Sequence, residues 1–218
     1  MIELRDVTKS YRTTKGRKFV FRNLSFMVPH GKNLAIIGRN GAGKSTLMRL
    51  LAGQDMPDSG KIITPDSISW PVGLSGGFQG SLTARQNVKF VARVYGAESD
   101  RLREIVDYVQ NFADIGDYFD QPVNTHSSGM RARVAFGLSL AFDFDYYLVD
   151  EAMSTGDQKF KTRASEEFRK RVGKANIILV THGMSQVKSL CDVVLVLDHG
   201  EIKKFDDVDE GIAYYKTL

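Results

Sequence analysis

The chain has 218 residues, of which 42% are hydrophobic and 26% are charged, and its formal net charge is +4 at pH 7. This composition is typical of a single globular domain. It excludes a disordered chain, because enough apolar side chain is present to offset the entropy lost on folding. The longest uncharged apolar runs, at 177–180 and 193–197, are far shorter than the roughly 20 residues that cross a bilayer, so no membrane span is predicted.

Taken in chain order, the hydrophobic pattern predicts strands first and then alternating helices and strands, which favours an α/β sheet core. Alternation over residues 2–7 is typical of a strand rather than of a cleavable secretory leader. A helix is predicted from Lys44 to about Ala52, and 198–201 is predicted to be a hairpin turn. The predicted strands are residues 2–8, 19–28, 34–37, 146–149, 177–180 and 193–197.

A block without strand pattern interrupts this alternation between residues 83 and 141. Apolar residues recur there at helical spacing, first around Phe90 and then around Ile105. The pattern predicts one domain in which residues 1–82 and 142–218 form the α/β core and 83–141 form an inserted helical subdomain. The helically spaced positions are Asn87, Phe90, Val91 and Val94, followed by Leu102, Ile105, Val106 and Val109.

A phosphate-binding pattern, Gly-x-x-x-x-Gly-Lys-Ser/Thr, occupies residues 38–45. Its glycines let successive backbone N–H groups wrap a phosphate chain, and the helix that begins at Lys44 adds the positive end of its dipole. Lys44 is expected to reach the β- and γ-phosphates, and Ser45 is expected to bind Mg²⁺. Because an apolar strand precedes the loop and a helical pattern follows it, a nucleoside triphosphate site is predicted rather than a chance match. The predicted nucleotide-binding residues of the loop are Gly38, Arg39, Asn40, Gly41, Ala42, Gly43, Lys44, Ser45 and Thr46.

An acidic pair, Asp150 and Glu151, follows the predicted buried strand at 146–149. Open α/β sheets bind their ligands at the carboxyl ends of their strands. Asp150 is therefore expected to hold Mg²⁺, directly or through water, and Glu151 to polarise the attacking water. The alternative, an acidic helix cap after a strand, is much less favoured beside a phosphate loop.

Residues 127–133 supply a third motif, and with it the sequence resembles the nucleotide-binding subunits of ABC transporters. The signature loop of that family is usually Leu-Ser-Gly-Gly-Gln followed by a basic helix, and Ser127 and Gly129 match it. Taken alone, a serine in this setting is more often a simple helix N-cap. Its position before the acidic pair favours the signature loop. The substituted positions are His126, Ser128 and Met130.

The resemblance assigns further roles residue by residue. Tyr11 is similar to the aromatic residue that stacks on adenine, and the alternative is an ordinary tyrosine at a strand end. Asp157 resembles the aspartate that contacts the partner subunit, and His182 resembles the histidine that senses the γ-phosphate. Gln79 is the nearest candidate for the glutamine that links Mg²⁺ to the membrane partner, although the following helix start places that glutamine nearer Leu74.

The resemblance covers nearly the whole chain and implies a P-loop NTPase fold. That fold has a RecA-like parallel sheet core, an N-terminal antiparallel β subdomain and an inserted helical subdomain. The resemblance also implies ATP and Mg²⁺, a homodimer, and two copies of an integral-membrane permease together with further envelope export proteins. The implied location is peripheral, on the cytoplasmic face of the inner membrane, and the single cysteine, Cys191, agrees with a reducing compartment.

Two segments, 70–83 and 144–151, narrow the resemblance to the ATP-binding subunits of capsular polysaccharide exporters. Related exporters of O-antigen and teichoic acid often carry an extra C-terminal domain, which a chain that stops at Leu218 is not expected to have. Export of those polymers remains an alternative, as does a soluble ABC-type ATPase that acts on nucleic acid. The latter class usually has two tandem ATPase halves or a long coiled coil, so no nucleic-acid partner is expected. A small-metabolite kinase would leave Asp157 and His182 without a role.

Overall fold

The computed structural model describes residues 1–14, 16–73, 77–150, 158–172 and 174–218. It divides the chain into two compact units, the first spanning Met1–Trp70, Phe144–Glu151 and Lys174–Leu218, and the second Pro71–Asp143 and Ala152–Gly173. Two predicted site residues, Glu151 and Asp157, lie outside the described residues, as does Leu74.

Strands and helices follow one another along the described chain in the order that an α/β fold requires. The strands are β1 (Ile2–Thr13), β2 (Gly16–Val28), β3 (Leu34–Gly38), β4 (Ser59–Ile63), β5 (Tyr146–Asp150), β6 (Asn176–Val180), β7 (Val193–Asp198) and β8 (Glu201–Phe205). The helices are α1 (Lys44–Leu51), α2 (Ala84–Val94), α3 (Ser99–Ala113), α4 (Ser128–Leu140), α5 (Gln158–Val172), α6 (Met184–Leu190) and α7 (Val208–Tyr215), and two 3₁₀ turns lie at Gly116–Asp120 and Val123–Thr125.

The first unit is built on two sheets. A three-stranded antiparallel sheet has the order β2-β1-β4, and a five-stranded sheet has the order β5-β6-β3-β7-β8, in which only the β7–β8 pair is antiparallel. Every residue of β3 is buried, which is the pattern of a central strand with both faces covered. The predicted α/β core with an N-terminal antiparallel subdomain is confirmed.

The antiparallel sheet extends further than the hydrophobic pattern predicts. Strands β1 and β2 continue to pair in the stretch between the predicted strands at 2–8 and 19–28, where Tyr11 pairs with Lys18 and Arg12 with Arg17. Its residues are mostly exposed, so it lacks the alternation that marks a half-buried strand. The short strand β4 carries no apolar alternation either, and it was not predicted.

The second unit is helical, and its core is aromatic. The ring of Phe112 on α3 stacks on Phe136 of α4 at 5.8 Å and meets Phe160 of α5 edge-on at 5.6 Å. A Cβ at Gly137 would lie 2.9 Å from the Phe112 ring, so a glycine lets α3 and α4 approach closely. The sequence placed the helical insertion at 83–141, whereas this unit begins at Pro71 and also includes α5. None of the described helices is both long enough and apolar enough to span a lipid bilayer.

Burial makes Cys191 a probe of folding in the first unit. Its side chain is 9% exposed, and burial raises the pKa of its thiol to about 12. We expect a maleimide to label the native chain at pH 8 at least about 100-fold more slowly than the urea-unfolded chain, because the thiolate is the reactive form. Raising the pH toward 12 should lower the free energy of unfolding, because the thiol ionises at a lower pH in the unfolded chain than in the folded chain. The chain has one cysteine, so Cys191→Ser gives the background. Equal labelling rates in the two states would contradict the expectation.

Candidate active site

The predicted phosphate loop lies at the carboxyl edge of the five-stranded sheet. β3 ends at Gly38 and α1 begins at Lys44, so the loop connects a central strand to a helix. β5 ends at Asp150, which pairs with the last residue of β6, Val180. Because β3, β5 and β6 are parallel, their carboxyl ends share one edge, where α/β sheets bind ligands.

A cleft of about 660 Å³ opens at this edge of the sheet. This volume falls within the range of roughly 300–1,000 Å³ that small-molecule sites occupy. Of the predicted site residues, Tyr11, Asp150, His182 and all of the loop from Asn40 to Thr46 line this cleft. The other residues that line it are Lys18, Phe19, Val20, Val180, His199 and Gly200.

Glycine is required in the loop for steric reasons. Gly41 and Gly43 have φ angles of +81° and +109°, a backbone conformation that residues with a Cβ rarely adopt. A Cβ on Gly43 would also lie 2.7 Å from atoms of Phe21 and Val20. Gly43 is the N-cap of α1 and supplies no side-chain cap, so the first-turn N–H groups of the helix are left available to an anion.

The ammonium group of Lys44 is held against the loop that precedes it. Its Nζ donates hydrogen bonds to the carbonyl oxygens of Gly38, at 2.7 Å, and Arg39, at 3.1 Å. These bonds orient a positive charge at the helix N-terminus, inside the cleft. The backbone of the predicted loop therefore positions the side chain that the motif assigns to the phosphates.

The chain after β6 is fixed by a local turn that presents His182. Thr181 is buried, and its hydroxyl oxygen accepts a hydrogen bond from the Gly183 N–H at 2.9 Å and donates to Gln186 at 3.2 Å. His182, between these groups, is exposed and lines the cleft. The structure therefore brings His182, Lys44 and Asp150 to one cavity.

The donor set in the cleft fits Mg²⁺. The hydroxyl of Ser45 and the carboxylate of Asp150 both line it. Within the described ranges, His, Cys, Asp and Glu form no cluster of three or more that could hold a metal ion. Mg²⁺ does not need such a cluster, because it is usually held by one or two protein oxygens together with substrate phosphates and water.

Sequence reasoning missed one wall of the cleft. Lys18, Phe19 and Val20 come from β2, and His199 and Gly200 come from the turn between β7 and β8. A Cβ on Gly200 would lie 2.9 Å from the carbonyl oxygen of Val20, so this turn packs closely on β2. The predicted turn at 198–201, which the structure confirms, was the part of this wall that the sequence could indicate. Its contact with β2 could not be predicted, because β2 is distant in the sequence.

The remaining predicted residues, Gln79, Ser127 and Gly129, belong to the second unit. Ser127 is the N-cap of α4, and its side-chain oxygen accepts a hydrogen bond from the Met130 N–H at 3.2 Å. The amide of Gln79 donates to the Ser81 hydroxyl at 3.3 Å. Ser127 therefore forms the helix N-cap that the sequence offered as the alternative to a signature loop. The roles of all three residues at a nucleotide stay predictions.

Comparison with known proteins identifies the family. A sequence profile described as "ABC transporter" matches residues 21–154, which is more than half of the chain. The chain belongs to the ABC transporter family. It is an ABC-type ATPase and binds ATP, as the resemblance implied.

Two relatives in this family match along nearly their full length. The chain is 56% identical over 217 residues to the polysialic acid transport ATP-binding protein KpsT of Escherichia coli, covering 99% of each chain. It is 42% identical over 218 residues to the capsule polysaccharide export ATP-binding protein CtrD of Neisseria meningitidis serogroup B, covering 100% of each.

The fold is also that of a solved ABC cassette. The ATP-binding cassette MJ0796, in a dimeric post-hydrolysis structure with ADP and Pi, matches with a TM-score of 0.74 and 22% identity over 94% of this chain and 98% of its own. This likeness shows the fold, and the predicted P-loop NTPase fold is confirmed.

Proposed function

We propose that this ABC ATPase is the motor subunit that drives export of capsular polysaccharide across the cytoplasmic membrane through a separate permease. The observation that carries the proposal is the end-to-end match to relatives whose names specify polysialic acid transport and capsule polysaccharide export. The match includes the helical unit as well as the nucleotide-binding residues, so it supports a shared partner and cargo class as well as a shared reaction.

In the proposed reaction, each residue of the cleft has a defined role. Lys44 binds the β- and γ-phosphates of ATP, and Ser45 and Asp150 hold Mg²⁺, which when bound neutralises charge on the phosphate oxygens. Glu151, which follows Asp150 in sequence, orients the attacking water, and His182 contacts the γ-phosphate. Catalysis is then mainly positioning and charge stabilisation, as in other phosphoryl transfers.

The proposed assembly contains two copies of the chain arranged head to tail. Ser127 and Gly129 of one copy complete the ATP site of the other, while Asp157 contacts the partner subunit and Gln79 links the site to the permease. Support comes from the exposed position of Ser127 at the N-terminus of α4, because a helix N-terminus favours an anion. ATP would close the pair, since its γ-phosphate contacts both copies only in the closed state.

Two permease copies and further envelope export proteins complete the proposed complex, which places the chain peripherally on the cytoplasmic face of the inner membrane. An exposed apolar surface on α2 supports a protein partner. Phe90 and Val94 lie one helical turn apart and are 61% and 67% exposed. Tyr95 is 52% exposed, and its ring packs on Phe142 at 5.2 Å.

Complementation in the host cell tests the export role. The chromosomal copy is removed and replaced with the wild-type chain, Glu151→Gln or the control Glu98→Gln, which changes an exposed glutamate at the start of α3. Intact and lysed cells are then labelled for capsule. We expect Glu151→Gln cells to lose surface polymer and retain it inside, whereas Glu98→Gln cells resemble wild type. Unchanged surface capsule in Glu151→Gln cells would overturn the capsule assignment, and parallel labelling of O-antigen and teichoic acid would reveal either alternative cargo.

A further inference from the structure

Tyr11, which lines the ATP cleft, is tied to the helix of the phosphate loop by a set of side-chain hydrogen bonds. Its hydroxyl donates to Asp55 Oδ2 at 2.8 Å and accepts from Arg49 Nη2 at 3.2 Å. Asp55 Oδ1 accepts from Lys9 Nζ at 2.6 Å. Asp55 follows the carboxyl end of α1, Arg49 lies on α1, and Lys9 and Tyr11 belong to β1.

Several features make these contacts stronger than ordinary surface hydrogen bonds. Lys9 is only 7% exposed, and its ammonium also donates to the carbonyl oxygen of Met56 at 2.7 Å. The hydrogen bond from Lys9, followed by that from Tyr11, holds the pKa of Asp55 below its usual range, so the tyrosine hydroxyl meets an ionised carboxylate. Lys9 Nζ and the Arg49 guanidinium carbon lie 5.1 and 5.9 Å from the centre of the Tyr11 ring.

These bonds restrain the hydroxyl end of Tyr11 near an exposed hairpin. The residues that follow it, 12–14, are exposed, so they do not bury the ring. Arg49 also approaches the hydroxyl of Thr46, a residue of the phosphate loop, at 3.5 Å. The side chain of Arg49 therefore contacts both the tyrosine and a residue of the phosphate loop.

We infer that Asp55 and Arg49 are positioning residues that hold the Tyr11 ring as a preformed platform for the base of the nucleotide. The inference rests on the proposed function, in which Tyr11 stacks on adenine. Stacking of a base on an aromatic side chain strengthens nucleotide binding, and a ring fixed in place loses less conformational entropy on binding. The hydrogen bonds that Tyr11 makes with Asp55 and Arg49, which we call the Tyr11 tether, would therefore strengthen binding of the base and leave binding of the phosphates unchanged.

The alternative explanation is that these hydrogen bonds stabilise the contact between β1 and the segment after α1 and have no role in nucleotide binding. The chain offers a matched control, because Asp58 lies in the same segment and accepts a hydrogen bond from Ser10 of the same strand at 2.5 Å. Asp58→Asn removes the charge of a carboxylate that contacts β1, as Asp55→Asn does, but it changes no hydrogen-bond partner of Tyr11. The test compares this variant with Asp55→Asn, Tyr11→Phe, the double variant and Tyr11→Ala in the full chain, after thermal melting has shown that each one folds.

Calorimetry with Mg²⁺ measures the affinity for ATP and, separately, for inorganic tripolyphosphate, which has no base. We expect Asp55→Asn and Tyr11→Phe each to weaken ATP binding about 5-fold, the scale of one lost hydrogen bond. Tripolyphosphate binding should stay within about 2-fold. The double variant should be little worse than either single variant, because both substitutions weaken the same contact. Asp58→Asn should bind ATP like wild type.

Equal losses for ATP and tripolyphosphate, additive single variants, or an Asp58→Asn effect as large as that of Asp55→Asn would each overturn the tether. Tyr11→Ala separates the tether from the function on which it rests. We expect this variant to weaken ATP binding more than Tyr11→Phe does, and unchanged binding would refute base stacking itself. A wild-type chain that bound tripolyphosphate as tightly as ATP would also refute it.

Discussion

Lys44→Ala is expected to weaken ATP binding at least about 100-fold, because it removes the ammonium group that the loop holds in the cleft. In the wild-type chain, the carbonyl oxygens of Gly38 and Arg39 hold the Lys44 ammonium in the cleft. Loss of a charge-assisted contact to phosphate accounts for a change of this size. Titration with a fluorescent ATP analogue measures it.

Two further variants make the Lys44 result specific. Lys61→Ala makes the same change on an exposed lysine of β4 and should bind ATP like wild type. Lys44→Arg keeps the charge but replaces a compact ammonium with a planar guanidinium, so we expect it to recover only part of the affinity. Unchanged affinity in Lys44→Ala would contradict the phosphate role of this residue.

The strand–loop–helix geometry at the phosphate loop could be predicted because its signals lie in consecutive residues. The glycines with positive φ angles and the lysine at the start of α1 are close neighbours in the sequence. The opposite wall of the cleft and the Tyr11 tether depend instead on long-range pairing. Tyr11 and Asp55 are 44 positions apart, and no local pattern indicates that they meet.

Helical periodicity in α2 was detected, but it did not identify the buried face. Of the four residues at the predicted spacing, Asn87 is buried whereas Phe90 and Val94 are exposed. The side chain of Asn87 accepts a hydrogen bond from the Gln79 N–H and donates one to the Gln79 carbonyl oxygen. A buried polar side chain therefore supplies the hydrogen bonds that this backbone needs. A single sequence cannot distinguish an apolar stripe that packs inward from one that is left for a partner, because both have the same period.

Glu151→Gln is expected to slow ATP hydrolysis roughly 1,000-fold while leaving ATP affinity near that of wild type. Glutamine keeps the size of the side chain but cannot accept a proton from water, and the residues that contact the phosphates are unchanged. If two copies enclose ATP between them, the variant should accumulate as a dimer with Mg-ATP and return to monomer with ADP. Phosphate release measures the first effect, and sedimentation velocity measures the second.

The control Glu98→Gln should hydrolyse ATP at the wild-type rate and show no ATP-dependent dimer. Combining Glu151→Gln with Lys44→Ala should abolish the dimer, because the γ-phosphate can no longer be held at the interface between the copies. A Glu151→Gln chain that turned over at the wild-type rate would remove this glutamate from catalysis. A chain that was inactive yet monomeric with ATP would keep its catalytic role and contradict the composite site. Phosphate release therefore tests the hydrolytic role of Glu151, and sedimentation separately tests whether ATP pairs two copies of the chain.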